Sequence, residues 1–163
     1  MYIMGKGTEA ARIDVIGEFP GLGYDKEFRI TSPQDPSYNC IAWAYQIKGC
    51  WMWPPKGQPA MVLDAVTYWP DENASTEVER FVEAFRLKGY EKCDTPDFEK
   101  GYRKIALYVI PGTTECTHAA RQLSNGLWTS KLGASYDIQH GNPQTIEGSW
   151  YGTVYCYMRI KFE

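Results

Sequence analysis

No apolar run in this chain is long enough for a membrane span or a signal-peptide core, because Lys6, Glu9, Arg12, Asp14 and Glu18 interrupt the stretch from Met1 to Phe19. There is no Lys/Arg run either. With a net charge of -3, nothing supplies the basic stripe that phosphate-backbone binding needs, so neither nucleic acid nor a membrane is an expected partner. No CxxC or HxxxH pair occurs, and no GxSxG elbow. Gly5-Lys6-Gly7 and Gly21-Leu22-Gly23 lack the strand-to-helix setting and the further glycines of a phosphate loop. No cofactor and no metal are therefore expected. Cys93 with Cys116 and His118, the last two sharing a face if their strand is regular, is the zinc alternative, and it falls short of four ligands. The five cysteines, Cys40, Cys50, Cys93, Cys116 and Cys156, are odd in number and irregularly spaced, unlike a secreted disulfide framework. They are expected to be reduced, with the cytoplasm as the expected compartment and Cys50, Cys93 and Cys156 as small buried hydrophobes.

A hydrophobic content of 44% with 15% aromatics suffices for one core, so one domain over 1–163 is expected. Residues 1–33, punctuated by Gly5, Gly7, Gly17, Gly21, Gly23, Pro20 and Pro33, read as a loop-rich arm with a short strand near Phe28 to Ile30. A buried central helix is expected from about Ser37 to Ile47, capped by Asp35-Pro36 or by Asn39. Two aromatic-proline clusters, Trp51-Met52-Trp53-Pro54-Pro55 and Tyr68-Trp69-Pro70, then read as a long loop region. Val78, Phe81, Val82 and Phe85 predict a core-facing helix over Thr76 to Lys88, with Thr76 and Glu79 as a capping box and Gly89 as its stop. From Arg103 the period becomes two. Strands are expected over 104–110, 117–123, 127–131 and 153–162, with a hairpin at Ser124-Asn125-Gly126. The fold class is α+β, a helical N-terminal half packed on a C-terminal antiparallel sheet.

Histidine is scarce; there are two. His118 lies downstream of Cys40, which opens the central helix, where the helix dipole and free N–H groups favour thiolate over thiol. A neighbouring imidazole would complete that activation and make Cys40 the most reactive thiol. Trp51, Trp53 and Trp69 are candidates for a substrate cleft or a partner surface.

The order of Asn39-Cys40-Ile41-Ala42-Trp43-Ala44 before Thr117-His118-Ala119-Ala120 resembles the papain-like cysteine hydrolases, a superfamily of peptidases, cell-wall amidases and deamidating toxins. The resemblance implies a nucleophilic Cys40, His118 as its base and Gln34, six residues before the cysteine, as an oxyanion donor. Trp128-Thr129-Ser130-Lys131-Leu132-Gly133 stands where those enzymes carry the ring-orienting asparagine, which puts Ser130 in that role with Asp137 and His140 as rivals. A regular two-residue turn would put Lys131 on the histidine's face, so Ser130 needs a bulge or a longer loop. The tracts YNCIAWA, THAARQ and WTSKLG also resemble a family of small bacterial proteins without an assigned activity. The implied function is a thiol hydrolase or acyltransferase acting on an amide bond in a peptide, a cell-wall peptide or a glutamine side chain, with a peptide or protein as substrate. The alternative is a non-enzymatic binding protein of immunity or anti-defence type that uses its aromatic-proline loops.

Overall fold

The structure, a computed structural model, describes residues 9–47, 49–54, 66–70 and 75–162. Its frame is a seven-stranded antiparallel sheet in the order β1-β8-β7-β6-β5-β9-β4. The strands are β1 (Arg29–Ser32), β4 (Glu91–Cys93), β5 (Tyr102–Val109), β6 (Cys116–Gln122), β7 (Trp128–Lys131), β8 (Asp137–His140) and β9 (Thr153–Lys161). Helices cover both faces. On one face α2 (Cys40–Tyr45) and α3 (Val78–Lys88) pack on Ile105, Leu107, Ala119 and Met158. On the other, α1 (Glu9–Glu18) and the short 3-10 turn Pro20–Tyr24 pack on Tyr108, Ala120, Trp128 and Ile138. The α+β class is as expected, although β1 carries the N-terminal half into the sheet, so helices and strands are not fully segregated. Among the described residues no helix is long and apolar enough to cross a membrane.

α1 overturns the expected loop-rich arm. Its nine-residue interval between Gly7 and Gly17 holds no Gly or Pro, and Ala11 and Val15, one turn apart, are both buried. Gly17 falls within its last turn. α2 is shorter than expected because Asn39 is the cap and Gln46, in the left-handed region at φ 67, stops the helix after Tyr45. Asp35 instead caps the preceding turn, accepting from the Ser37 N–H. In α3 the apolar stripe is buried as expected and Gly89 ends the helix at φ 114. The capping box does not form, because Glu77 is the cap residue and Thr76 bonds Glu115 while Glu79 bonds Lys92 and Tyr155. The expected loop over 51–74 contains β2 (Cys50–Met52) and β3 (Val66–Tyr68), paired in parallel; its remaining stretches 55–65 and 71–74 lie outside the described residues.

Residues 31–38 are held on the sheet by two buried charged groups from neighbouring strands. Lys131 and Asp137 are directly opposed across β7 and β8. The Lys131 ammonium donates to the carbonyls of Tyr38 (3.2 Å), Gly133 (2.9 Å) and Asp35. Asp137 accepts from the hydroxyls of Thr31, Ser32 and Tyr38, the last at 2.7 Å. A buried carboxylate with three donors leaves all of them stranded if it is removed. Asp137→Ala should therefore lower the unfolding free energy by about 3 kcal/mol and Tyr38→Phe by about 1 kcal/mol in urea denaturation. Equal small losses would show that the clamp does not hold the segment.

Candidate active site

Asn39 fixes the start of α2. Its side-chain oxygen accepts from the N–H groups of Ala42 and Met52, both at 3.1 Å, and its amide donates to the Met52 carbonyl at 3.0 Å. One residue caps the helix and ties it to β2. Cys40 comes next, and three backbone N–H groups, of Ala119, Ile41 and Cys40 itself, act on its sulfur. Ala119 follows His118 on β6, where the ladder to β7 is confined to Arg121↔Thr129 and Gln122↔Trp128. The thiol is 5% exposed, and burial outweighs those N–H groups and the Lys131 cation, pushing it up to about 11. The thiolate expected from the helix terminus is thus not the resting state. A six-residue helix has little dipole to offer, and a buried thiolate loses more solvation than the amides return.

His118 lies fully buried on the opposite face of β6 from α2, stacked on Tyr151 at 3.9 Å and edge-on to Tyr108 at 5.2 Å. Its Nε2 is 3.0 Å from Ser130 Oγ, which is 2.9 Å from His140 Nε2, and His140 Nδ1 is 2.8 Å from the Asn142 carbonyl oxygen. Partner chemistry assigns the protons along this chain. The carbonyl can only accept, so His140 carries its hydrogen on Nδ1. Burial holds His140 down at about 4, hence neutral, and its Nε2 is bare. Ser130 therefore donates to His140 and accepts from His118 Nε2–H. His118 is held neutral by burial and by His140, so its Nδ1 carries a lone pair. That nitrogen is buried without a partner. No hydrogen bond joins it to Cys40.

Ser130 reaches His118 because the hairpin is irregular in the required sense. The loop has three residues, 124–126, closed by a 2.7 Å bond from the Leu123 N–H to the Leu127 carbonyl, with Gly126 at φ 87. The resulting register sets Ser130 diagonal to His118 on one face. Of the two rivals, His140 joins Ser130, whereas Asp137 is occupied by Thr31, Ser32 and Tyr38. The zinc alternative fails. A register shift beside Thr117 sends Cys116 into the α2–α3 core while His118 faces the other way. Among the described residues no group of three metal-ligating side chains converges.

A cavity of about 240 Å³ adjoins Cys40, lined by Trp51, Trp53, Thr117, Gly133 and Tyr151 among others. The indole N–H of Trp53 is buried without a partner. Trp69 is absent from this lining and packs edge-on to Phe81 at 5.0 Å, in the α3 core. Gln34 also lies elsewhere: it lines a neighbouring cavity and its amide donates to Ser135 Oγ at 3.3 Å. Lys131 and Tyr151 were not foreseen as site residues. Tyr151 both lines the Cys40 cavity and covers His118, presented by a turn whose Gly152 has no alternative, since a Cβ there would lie 1.9 Å from the Val109 oxygen. A lysine in the buried pattern Trp128 to Leu132 was the available signal for Lys131.

The two neutral histidines make stability fall in acid. Their folded-state pKa values lie below the unfolded value near 6.5, so below that pH the unfolded chain binds protons that the native state refuses, for His140 down to about 4. His140 alone should remove about 3 kcal/mol of unfolding free energy across that window. His140→Gln should show a flatter pH profile in urea denaturation; an unchanged slope would mean that His140 does not titrate as a buried neutral ring.

No curated protein and no solved structure matches the chain. A family described as a domain of unknown function, DUF7689, matches residues 29–159, from β1 through most of β9 and including every residue of the His118 chain. The chain belongs to the DUF7689 family.

Proposed function

We propose that the protein is a papain-like thiol hydrolase or acyltransferase that acts on an amide bond, with Cys40 as nucleophile and His118 as base. The observation that carries this reading is the bare, unpartnered Nδ1 of His118, set by the Ser130–His140–Asn142 chain, with the next residue, Ala119, acting through its amide on the Cys40 thiol. A base must offer a lone pair and be held in one tautomer, and this chain supplies both. The resting pair is neutral thiol and neutral imidazole. Catalytic hydrogen bonds are commonly long in a free enzyme and tighten when substrate binds, so the missing Cys40–His118 bond is compatible with the role.

In the proposed step the sulfur attacks the substrate carbonyl while His118 Nδ1 takes the thiol proton. The C–N bond then breaks, the amine leaves with that proton, and water or an acceptor amine resolves the thioester. With Gln34 engaged elsewhere, the Cys40 N–H and the free Trp53 indole N–H are the proposed oxyanion donors. Tyr151 and the two tryptophans make the acyl-binding wall largely apolar.

A peptidyl vinyl sulfone with an apolar side chain tests the pair without knowledge of the natural substrate. By mass spectrometry, Cys40 should be alkylated at neutral pH at a rate that His118→Ala lowers at least about tenfold and Ser130→Ala lowers less, with Cys93 labelling unchanged as the internal control. Equal Cys40 rates in wild type and His118→Ala would sink the enzyme reading. One observation favours the second reading, a binding protein on the same fold: burial keeps the Cys40 thiol protonated beside an apolar cavity. It predicts that Cys40→Ala retains the protein's full biological effect.

A further inference from the structure

On the α2 side of the sheet, away from Cys40, Arg103 of β5 and Arg121 of β6 come together. Ile105 pairs with Arg121, and Arg103 lies two residues before Ile105 on the same face, so the two arginines are diagonal neighbours. Each guanidinium rests on an aromatic ring with its Cζ 5.0 Å from the centroid, Arg121 on Trp43 and Arg103 on Phe162. Arg121 Nε also donates to the Trp43 carbonyl at 3.2 Å. Among the described residues the ion pairs engage Arg86, Lys92, Lys104 and Arg159. Among the described residues neither Arg103 nor Arg121 forms an ion pair, and Asp137 acts on Arg121 only at a distance. Burial, and then the repulsion of Arg103, lowers the Arg121 pKa.

Two like charges on one face of a sheet oppose each other unless something neutralises them. Here they share a cavity of about 230 Å³ whose wall includes Phe98, Tyr102, Gln122 and Phe162 and no acidic residue. A buried polar atom nearby is also without a partner: the hydroxyl of Tyr90, which is 3% exposed and within electrostatic reach of both arginines. Lys88, whose ammonium donates to the Tyr45 carbonyl, adds a third positive charge close to Arg103.

We infer that this cavity is a binding site for a small organic oxyanion, a carboxylate or phosphate on an aromatic body, held by Arg103 and Arg121 with its ring against Phe98, Tyr102 and Phe162. Stacking fixes the two guanidinium planes and leaves their N–H edges to meet the anion, the geometry in which arginine binds such groups best. The site is independent of the Cys40 chemistry and stands whether or not that chemistry operates.

Calorimetric titration at fixed ionic strength with phenyl phosphate, benzoate and inorganic phosphate tests it. Phenyl phosphate or benzoate should bind saturably in the millimolar range or tighter, the better of the two identifying the anion, and inorganic phosphate should bind more weakly than phenyl phosphate. Arg103→Gln, at a half-buried position, should weaken the aromatic anion at least about tenfold, and Phe162→Ala should weaken it while leaving inorganic phosphate unchanged. Arg121→Gln should match Arg103→Gln if it folds; if its link to Trp43 makes it unfold, Arg103→Gln alone decides. Absence of saturable binding of all three probes, or equal binding by wild type and Arg103→Gln, overturns the proposal.

Discussion

The ammonium of Lys131 is fully buried with three carbonyl oxygens around it, and the carboxylate of Asp137 stands opposite with three hydroxyls on it. Both act on the segment that ends in Tyr38, immediately before the Asn39 cap. An isolated ion in a protein interior is strongly unfavourable, and what makes these tolerable is that all three ammonium hydrogens are donated and both carboxylate oxygens accept. The same bonds decide where the N-terminus of α2 lies, because the carbonyls of Asp35 and Tyr38 can reach Lys131 only when the chain crosses the sheet at that point. The position of Cys40 thus depends on a pair of buried charges, one of which, Lys131, also acts on its sulfur.

A second hydrogen-bond chain works on the opposite face. It begins at the Asn142 carbonyl, beside the Pro143–Ile146 turn, and ends at a bare imidazole nitrogen two strands away. Burial keeps both rings neutral, and the fixed acceptor at one end orders every proton between. Sheet and helices therefore present the Cys40 thiol from one side of β6 and the His118 imidazole from the other. Tyr151, lying against both, closes the arrangement from the turn that Gly152 permits.

The elements with strong local signals were legible in the residues. Four strands, the α3 stripe with Gly89 and the Asn39 cap all follow from periodicity or from capping chemistry that acts within a few positions. α1 was obscured because glycine and proline were counted over the whole arm, when what matters is the uninterrupted interval between them. The capping box at Thr76 failed because both of its members had stronger long-range partners in Glu115, Lys92 and Tyr155. At the site, Ser130 beside His118 depended on loop length, which the residues Ser124-Asn125-Gly126 allowed without specifying.

The sequence by itself determined the α+β composition, the cysteine at a helix start, the scarcity of histidine and the absence of charge runs, because each is a property of composition or of neighbours along the chain. Tertiary structure alone decided that Gln34 bonds Ser135 and Trp69 packs on Phe81, that Cys116 and His118 face opposite ways, that Arg103 and Arg121 meet, and that His118 is neutral with a free Nδ1. Those outcomes rest on strand register, on one shift beside Thr117 and on desolvation, and all three are set by contacts between residues far apart in the chain.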